Sequence, residues 1–140
     1  MKKQTAIFST GAIGYSLIEI LARGYTHWTM TILGGLCLLG LYSIAVHLGT
    51  NIFFQAAAGM WLITAAEFAT GVIVNLLLDW QVWDYSAEPA NLLGQICLRY
   101  CFYWFCLCFL WFLAIRIMRR IQSTVISKWN KRRIETERGA

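Results

Sequence analysis

LLGQICLRYCFYWFCLCFLWFLAIRI, residues 92–117, contains two cations, no acid and no proline in twenty-six positions. At 1.5 Å per residue a helix of that length runs about 39 Å, enough to cross a hydrocarbon core of about 30 Å. Its aromatic residues, from Tyr100 to Phe112, lie on every side of such a helix, as expected where the surroundings are lipid and not water. The stretch reads as a transmembrane helix.

Working outward, three more runs are long and apolar enough to span: 5–22, 30–48 and 53–78. The whole chain of 140 residues is 59% hydrophobic and 14% charged, a balance that excludes an ordinary soluble domain. The expected fold class is all-α: an integral membrane bundle of four transmembrane helices with a C-terminal amphipathic helix. It divides into a four-helix domain, 1–118, and a basic tail, 119–140. Lys2 and Lys3 precede the first run as in a signal peptide, but Glu19 and Arg23 stand where a small-residue cleavage site belongs, so a retained helix is expected.

Eight of the twelve Lys and Arg residues lie between Arg116 and Arg138. A basic run after a membrane helix is a cytoplasmic retention signal and a contact for anionic lipid, which is a simpler reading of the net charge of +5 than nucleic-acid binding. With no Lys or Arg in the second and third loops, four crossings place both termini in the cytoplasm and the 79–91 loop outside. In the tail, Met118, Ile121, Val125 and Trp129 recur at spacings of three and four, the pattern of an interfacial amphipathic helix; a charged end that only enforces topology is the alternative.

Charges at membrane depth are costly, by at least about 2.5–3.5 kcal/mol on insertion scales, so Glu19, Glu67 and Arg99 require partners. Counting along the helices places Glu19, Asn75, Gln95 and Arg99 in the outer half of the membrane and Glu67 near its middle. Thr64, Glu67, Gly71 and Asn75 fall on one face of the third helix, which should look inward, with Gly71 allowing another backbone close. Arg99, read as the cation at that depth, is the expected partner of Glu19 or Glu67 and a hydrogen-bond donor to Asn75. Two readings stay open: polar residues that hold four helices together, or a substrate or ion pathway.

Other chemistry is weakly represented. Cys97, Cys101 and Cys108 share a face with no histidine nearby, and His27 and His47 lie at opposite ends of one helix, so no metal site is expected. The five cysteines sit in apolar runs and read as packing thiols, with Trp80 and Trp83 as membrane-interface residues. No P-loop, GxGxxG, GxSxG or HExxH pattern occurs, so no cofactor is expected and the chain does not hydrolyse ATP by itself.

The outer loop is the most distinctive segment. Pro89 disfavours helix at Glu88, so 84–91 should form an irregular cap, with Asn91 capping the fourth helix by accepting from Gly94 or a neighbour. Asp84, Tyr85 and Ser86 are then the lid or rim of an outward polar pocket, whose binding set is Glu19, Glu67, Asn75, Asp84, Tyr85, Ser86, Asn91, Gln95 and Arg99. WDYS at 83–86, followed by Pro89, Asn91, Gly94 and Ile96–Cys97, together with GYSLIE at 14–19 and AEFATG at 66–71, resembles the bacterial membrane family called putative ABC-transporter type IV. The chain departs from the family pattern after Leu98, where it has Arg99. The resemblance implies a permease-like component of the bacterial inner membrane, working with a separate ATPase or other membrane subunit or as a homo-oligomer, in contact with membrane lipids. The alternatives are a membrane-embedded enzyme acting on lipid head groups, with Asp84 or Glu67 as general base, and a non-catalytic interaction or regulatory subunit.

Overall fold

The computed structural model describes residues 2–49 and 51–138, with side chains to Ile134. Its four long helices are α1 (Lys2–Arg23), α2 (Trp28–His47), α3 (Ile52–Gly71) and α4 (Leu98–Arg138). All four are long and apolar enough to cross a membrane. Large side chains on the outside of the bundle, among them Leu21, Trp61 and Leu77, are 86%, 67% and 74% exposed, the inverse of a water-soluble surface.

Capping marks where the apolar runs become separate helices. His27 precedes α2 and accepts from the Thr29 amide through its ring nitrogen, and Asn51 precedes α3 and accepts from the amides of Phe53 and Phe54 at 3.0 and 3.3 Å. Beyond Gly71, α3 widens into a π-helix, Val72–Leu77, in which the Leu78 amide reaches the Ile73 carbonyl at 3.0 Å. Helix α1 packs along α2, α2 against α3, and α3 against α4. The core between them is built from Leu33, Cys37 and Leu41 of α2, Ala56 and Ile63 of α3, and Trp104, Cys108 and Phe112 of α4. Helix α1 reaches α4 through one stacked pair, Tyr15 and Trp104, with ring centroids 5.7 Å apart.

The fourth helix begins later than its apolar content suggests. Residues 92–97 do not belong to it: strand β1 (Asn91–Leu92) pairs antiparallel with β2 (Ile96–Cys97), in the register Asn91 to Cys97 and Leu92 to Ile96. The turn between them has positive φ at Leu93 (52°) and Gly94 (67°), and the Gln95 amide donates to the Leu92 carbonyl at 3.0 Å. Positive φ at both central residues is what a type I′ hairpin turn needs. At its other end α4 runs without interruption through 118 and 119 to Arg138.

Candidate functional site

The face predicted on α3 is inward, as expected: Thr64, Glu67, Gly71 and Asn75 are all buried. Glu67 is 3% exposed and has two neutral donors, the Tyr15 hydroxyl at 2.8 Å on Oε1 and the Trp104 indole N–H at 2.7 Å on Oε2. One donor comes from α1 and the other from α4, so the carboxyl joins the two helices that otherwise barely meet. Thr64 donates to the Cys101 sulfur at 3.6 Å, a weaker tie between α3 and α4.

Arg99 is not the partner of Glu67 or of Glu19. Because the hairpin takes up residues 92–97, Arg99 is the second residue of α4 and stands at the start of that helix, not two turns into it. Its guanidinium is 56% exposed and donates to Glu88 Oε1 at 2.9 Å. Glu19 instead accepts from Arg23, one turn along the same helix, and from the Thr26 hydroxyl at 2.6 Å.

The polar residues beside the 79–91 loop do converge, through the backbone of Val82. Arg23 donates to the Val82 carbonyl at 3.3 Å, and the Val82 amide donates to Asn75 Oδ1 at 2.7 Å. The Asn75 amide then donates to Gln95 Oε1 at 2.8 Å, and the Gln95 carbonyl accepts the Trp83 indole N–H at 2.9 Å. Trp83 is therefore buried as the anchor of the loop and is no interface residue, unlike Trp80, which is exposed and clusters with His27 and Trp28. Gly71 makes room for side chains and not for another backbone: a Cβ there would lie 2.5 Å from Gln95 Oε1 and 2.9 Å from Trp83 Cζ2.

Above this layer the loop is tied to itself. Asp84 is exposed and accepts from the Ser86 amide and hydroxyl, both at 2.8 Å; the amide first and the hydroxyl second hold its carboxyl below the usual range. Asn91 does not cap α4. It organises the hairpin, accepting from the Gly94 amide at 3.0 Å and donating to the carbonyls of Ser86 and Glu88 at 3.1 and 2.8 Å. Tyr85 stacks on Tyr100 of α4 at 4.5 Å and donates its amide to the Gly94 carbonyl at 2.7 Å. Burial pushes its phenol up, and the charge of Glu67 adds to that.

Cavities open on the bundle away from the Asn75–Val82–Gln95 set. One, of about 440 Å³, is an apolar groove between α1, α2 and α4, and Tyr15 and Trp104 form part of its wall. The other, of about 330 Å³, lies at the end away from the loop and is lined by Gln55, Arg116, Arg119 and Arg120. Tyr15 and Trp104 are the site residues that sequence reasoning missed. A tyrosine and a tryptophan among so many aromatics carry no local mark of a carboxyl partner; only helix pairing supplies it.

The model of the family described as Putative ABC-transporter type IV matches residues 7–136. No curated protein matches the chain, and no solved structure does.

Proposed function

Given that the chain belongs to the Putative ABC-transporter type IV family, we propose that it is a permease-like membrane component of a transport system in the bacterial inner membrane. Both termini face the cytoplasm in this reading, and a separate ATPase supplies the energy. The observation that carries it is Glu67: a carboxyl buried among the helices, bonded among the described residues to Tyr15 and Trp104, which form part of the wall of a 440 Å³ groove. Ionisable groups within membrane helices mark pathways more often than they serve packing alone. A solute hydroxyl or a cation reaching Glu67 would replace the Tyr15 or Trp104 donor, which exchanges one satisfied arrangement for another. The outer pocket is closed by its own residues in this reading, with Gln95 filling the space beside Asn75; opening it requires Gln95 to leave Asn75 while the loop 83–97 lifts.

The test is flux in right-side-out vesicles from cells expressing the chain, with a panel of ions and small solutes. Flux that Glu67→Gln abolishes at unchanged folded yield supports the proposal, and no flux across the panel counts against it. A second reading, a non-catalytic interaction subunit, is favoured by the exposed apolar side of α4 beyond the bundle, where Met118, Ile121, Val125 and Trp129 are 59%, 58%, 59% and 66% exposed. Capture of a membrane partner that depends on 118–133 and is indifferent to Glu67 separates the two.

A further inference from the structure

At the end of the bundle away from the 79–91 loop, α4 presents Arg116, Arg119 and Arg120 around the 330 Å³ cavity, whose remaining wall among the described residues includes Gln55, Phe112 and Ile115 and no acidic side chain. The polar floor is fixed. Gln55 is buried, donates to the carbonyls of Leu48 and Gly49 at 2.8 and 3.0 Å, and accepts from Arg116 at 3.1 Å. Arg116 is thereby held at the cavity wall, while Arg119 and Arg120 are exposed at its rim. Three guanidinium groups around a cavity of this size are complementary to a phosphate, which accepts the paired N–H groups of arginine side by side.

The surroundings favour a phosphate that carries hydrocarbon. The apolar groove and the cavity draw on the same two helices: Leu41 lines the groove and Ala45 the cavity on α2, while Trp111 and Ala114 line the groove and Phe112 and Ile115 the cavity on α4. From Ala114 to Trp104 the groove extends about 15 Å along the helix, the depth of one leaflet's hydrocarbon.

We propose that this end of the bundle is a specific site for one anionic phospholipid, its phosphate on Arg116, Arg119 and Arg120 and one acyl chain in the groove toward Tyr15 and Trp104. The site is distinct from the outer loop and does not depend on transport.

The experiment uses the full chain in a neutral detergent, titrated with phosphatidylglycerol or phosphatidylcholine and read by native mass spectrometry for retained lipid. One phosphatidylglycerol should be retained in preference to phosphatidylcholine. Arg119→Gln with Arg120→Gln, both exposed positions, should weaken retention by a few tens of fold, since each cation near an anionic lipid contributes about fivefold. Gly14→Leu fills the groove from α1 at a position where a Cβ meets no atom within 4 Å, so the fold should tolerate it while lipid retention falls. Inorganic phosphate should compete weakly. Equal retention of the two lipids, or no change in the arginine double variant, overturns the proposal. Full displacement by inorganic phosphate, with Gly14→Leu silent, makes the cavity a free-phosphate site and overturns it as well.

Discussion

Trp104 Nε1 lies 2.7 Å from Glu67 Oε2, and the Tyr15 hydroxyl lies 2.8 Å from Oε1, so both oxygens of one buried carboxyl of α3 are taken, one by α4 and the other by α1. Removing either donor leaves one oxygen of a buried carboxyl without that partner. Trp104→Phe and Tyr15→Phe should each lower stability by about 1–3 kcal/mol, the cost of a buried unsatisfied group. Unfolding of the purified protein in mild detergent measures this, and two silent variants would remove Glu67 as the tie between α1 and α4.

Glu67 and Arg99 share no partner, because Arg99 is engaged with Glu88 outside the bundle. The effects of Glu67→Gln and Arg99→Gln on folded yield should therefore add, within about 0.5 kcal/mol. Arg99→Gln alone should cost less than about 1 kcal/mol, as exposed ion pairs do. Recovery in the double variant would mean that the two residues meet after all.

Asn75 holds the outer loop from below by accepting the Val82 amide and donating to Gln95. Asn75→Ala orphans a buried amide and should cost about 1–3 kcal/mol. The change should be local: hydrogen exchange at 82–97 accelerates while α2 stays protected. Uniform acceleration would show that Asn75 supports the whole bundle.

Gly94 combines a φ of +67° with a Cβ position only 2.8 Å from Asp84 Oδ1. Gly94→Ala should destabilise the hairpin by at least about 1–2 kcal/mol, the left-handed backbone penalty for a residue with a Cβ. Proteolysis of the loop reports it, and a variant as resistant as the parent contradicts the turn.

The carboxyl of Asp84 sits below its usual range because the Ser86 amide and hydroxyl favour the charged form. A folded value under the unfolded one means that its contribution is complete above the unfolded value and disappears as pH falls through the folded one. Loop order should thus be flat above about pH 5 and decline below about pH 4. In Ser86→Ala the decline should begin at higher pH; an unmoved NMR titration of Asp84 would show that the hydroxyl plays no part.

Much of the bundle was legible because lipid imposes a crude rule: runs of about 20 apolar residues are helices. The inward face of Thr64, Glu67, Gly71 and Asn75 followed from helical spacing alone. The hairpin at 91–97 did not, since Leu92, Leu93, Ile96 and Cys97 are as apolar as the helix after them, and Leu93 gives no sign that it adopts a positive φ. That misreading sank Arg99 into the membrane and produced its false pairing with Glu67. The π-helix at Val72–Leu77 was equally hidden, because it depends on how the chain beyond it is tied down and not on residue type. Within the loop, Asn91 accepting from Gly94 was foreseen, though as a helix cap, whereas the bonds of Asp84 to Ser86 were not, and Gln95 beside Asn75 depends on tertiary placement.

Helix α4 is a single lever. Its first turn carries Arg99 and Tyr100, which hold Glu88 and Tyr85 of the outer loop, and its last described residue is Arg138. Forty-one residues make a rod of about 62 Å, roughly twice the hydrocarbon thickness. A tilt of about 5° pivoting at the loop displaces the far tip by about 5 Å, the scale of one helical turn. Under the proposed lifting of the loop, the same continuous helix would carry the movement to its charged end.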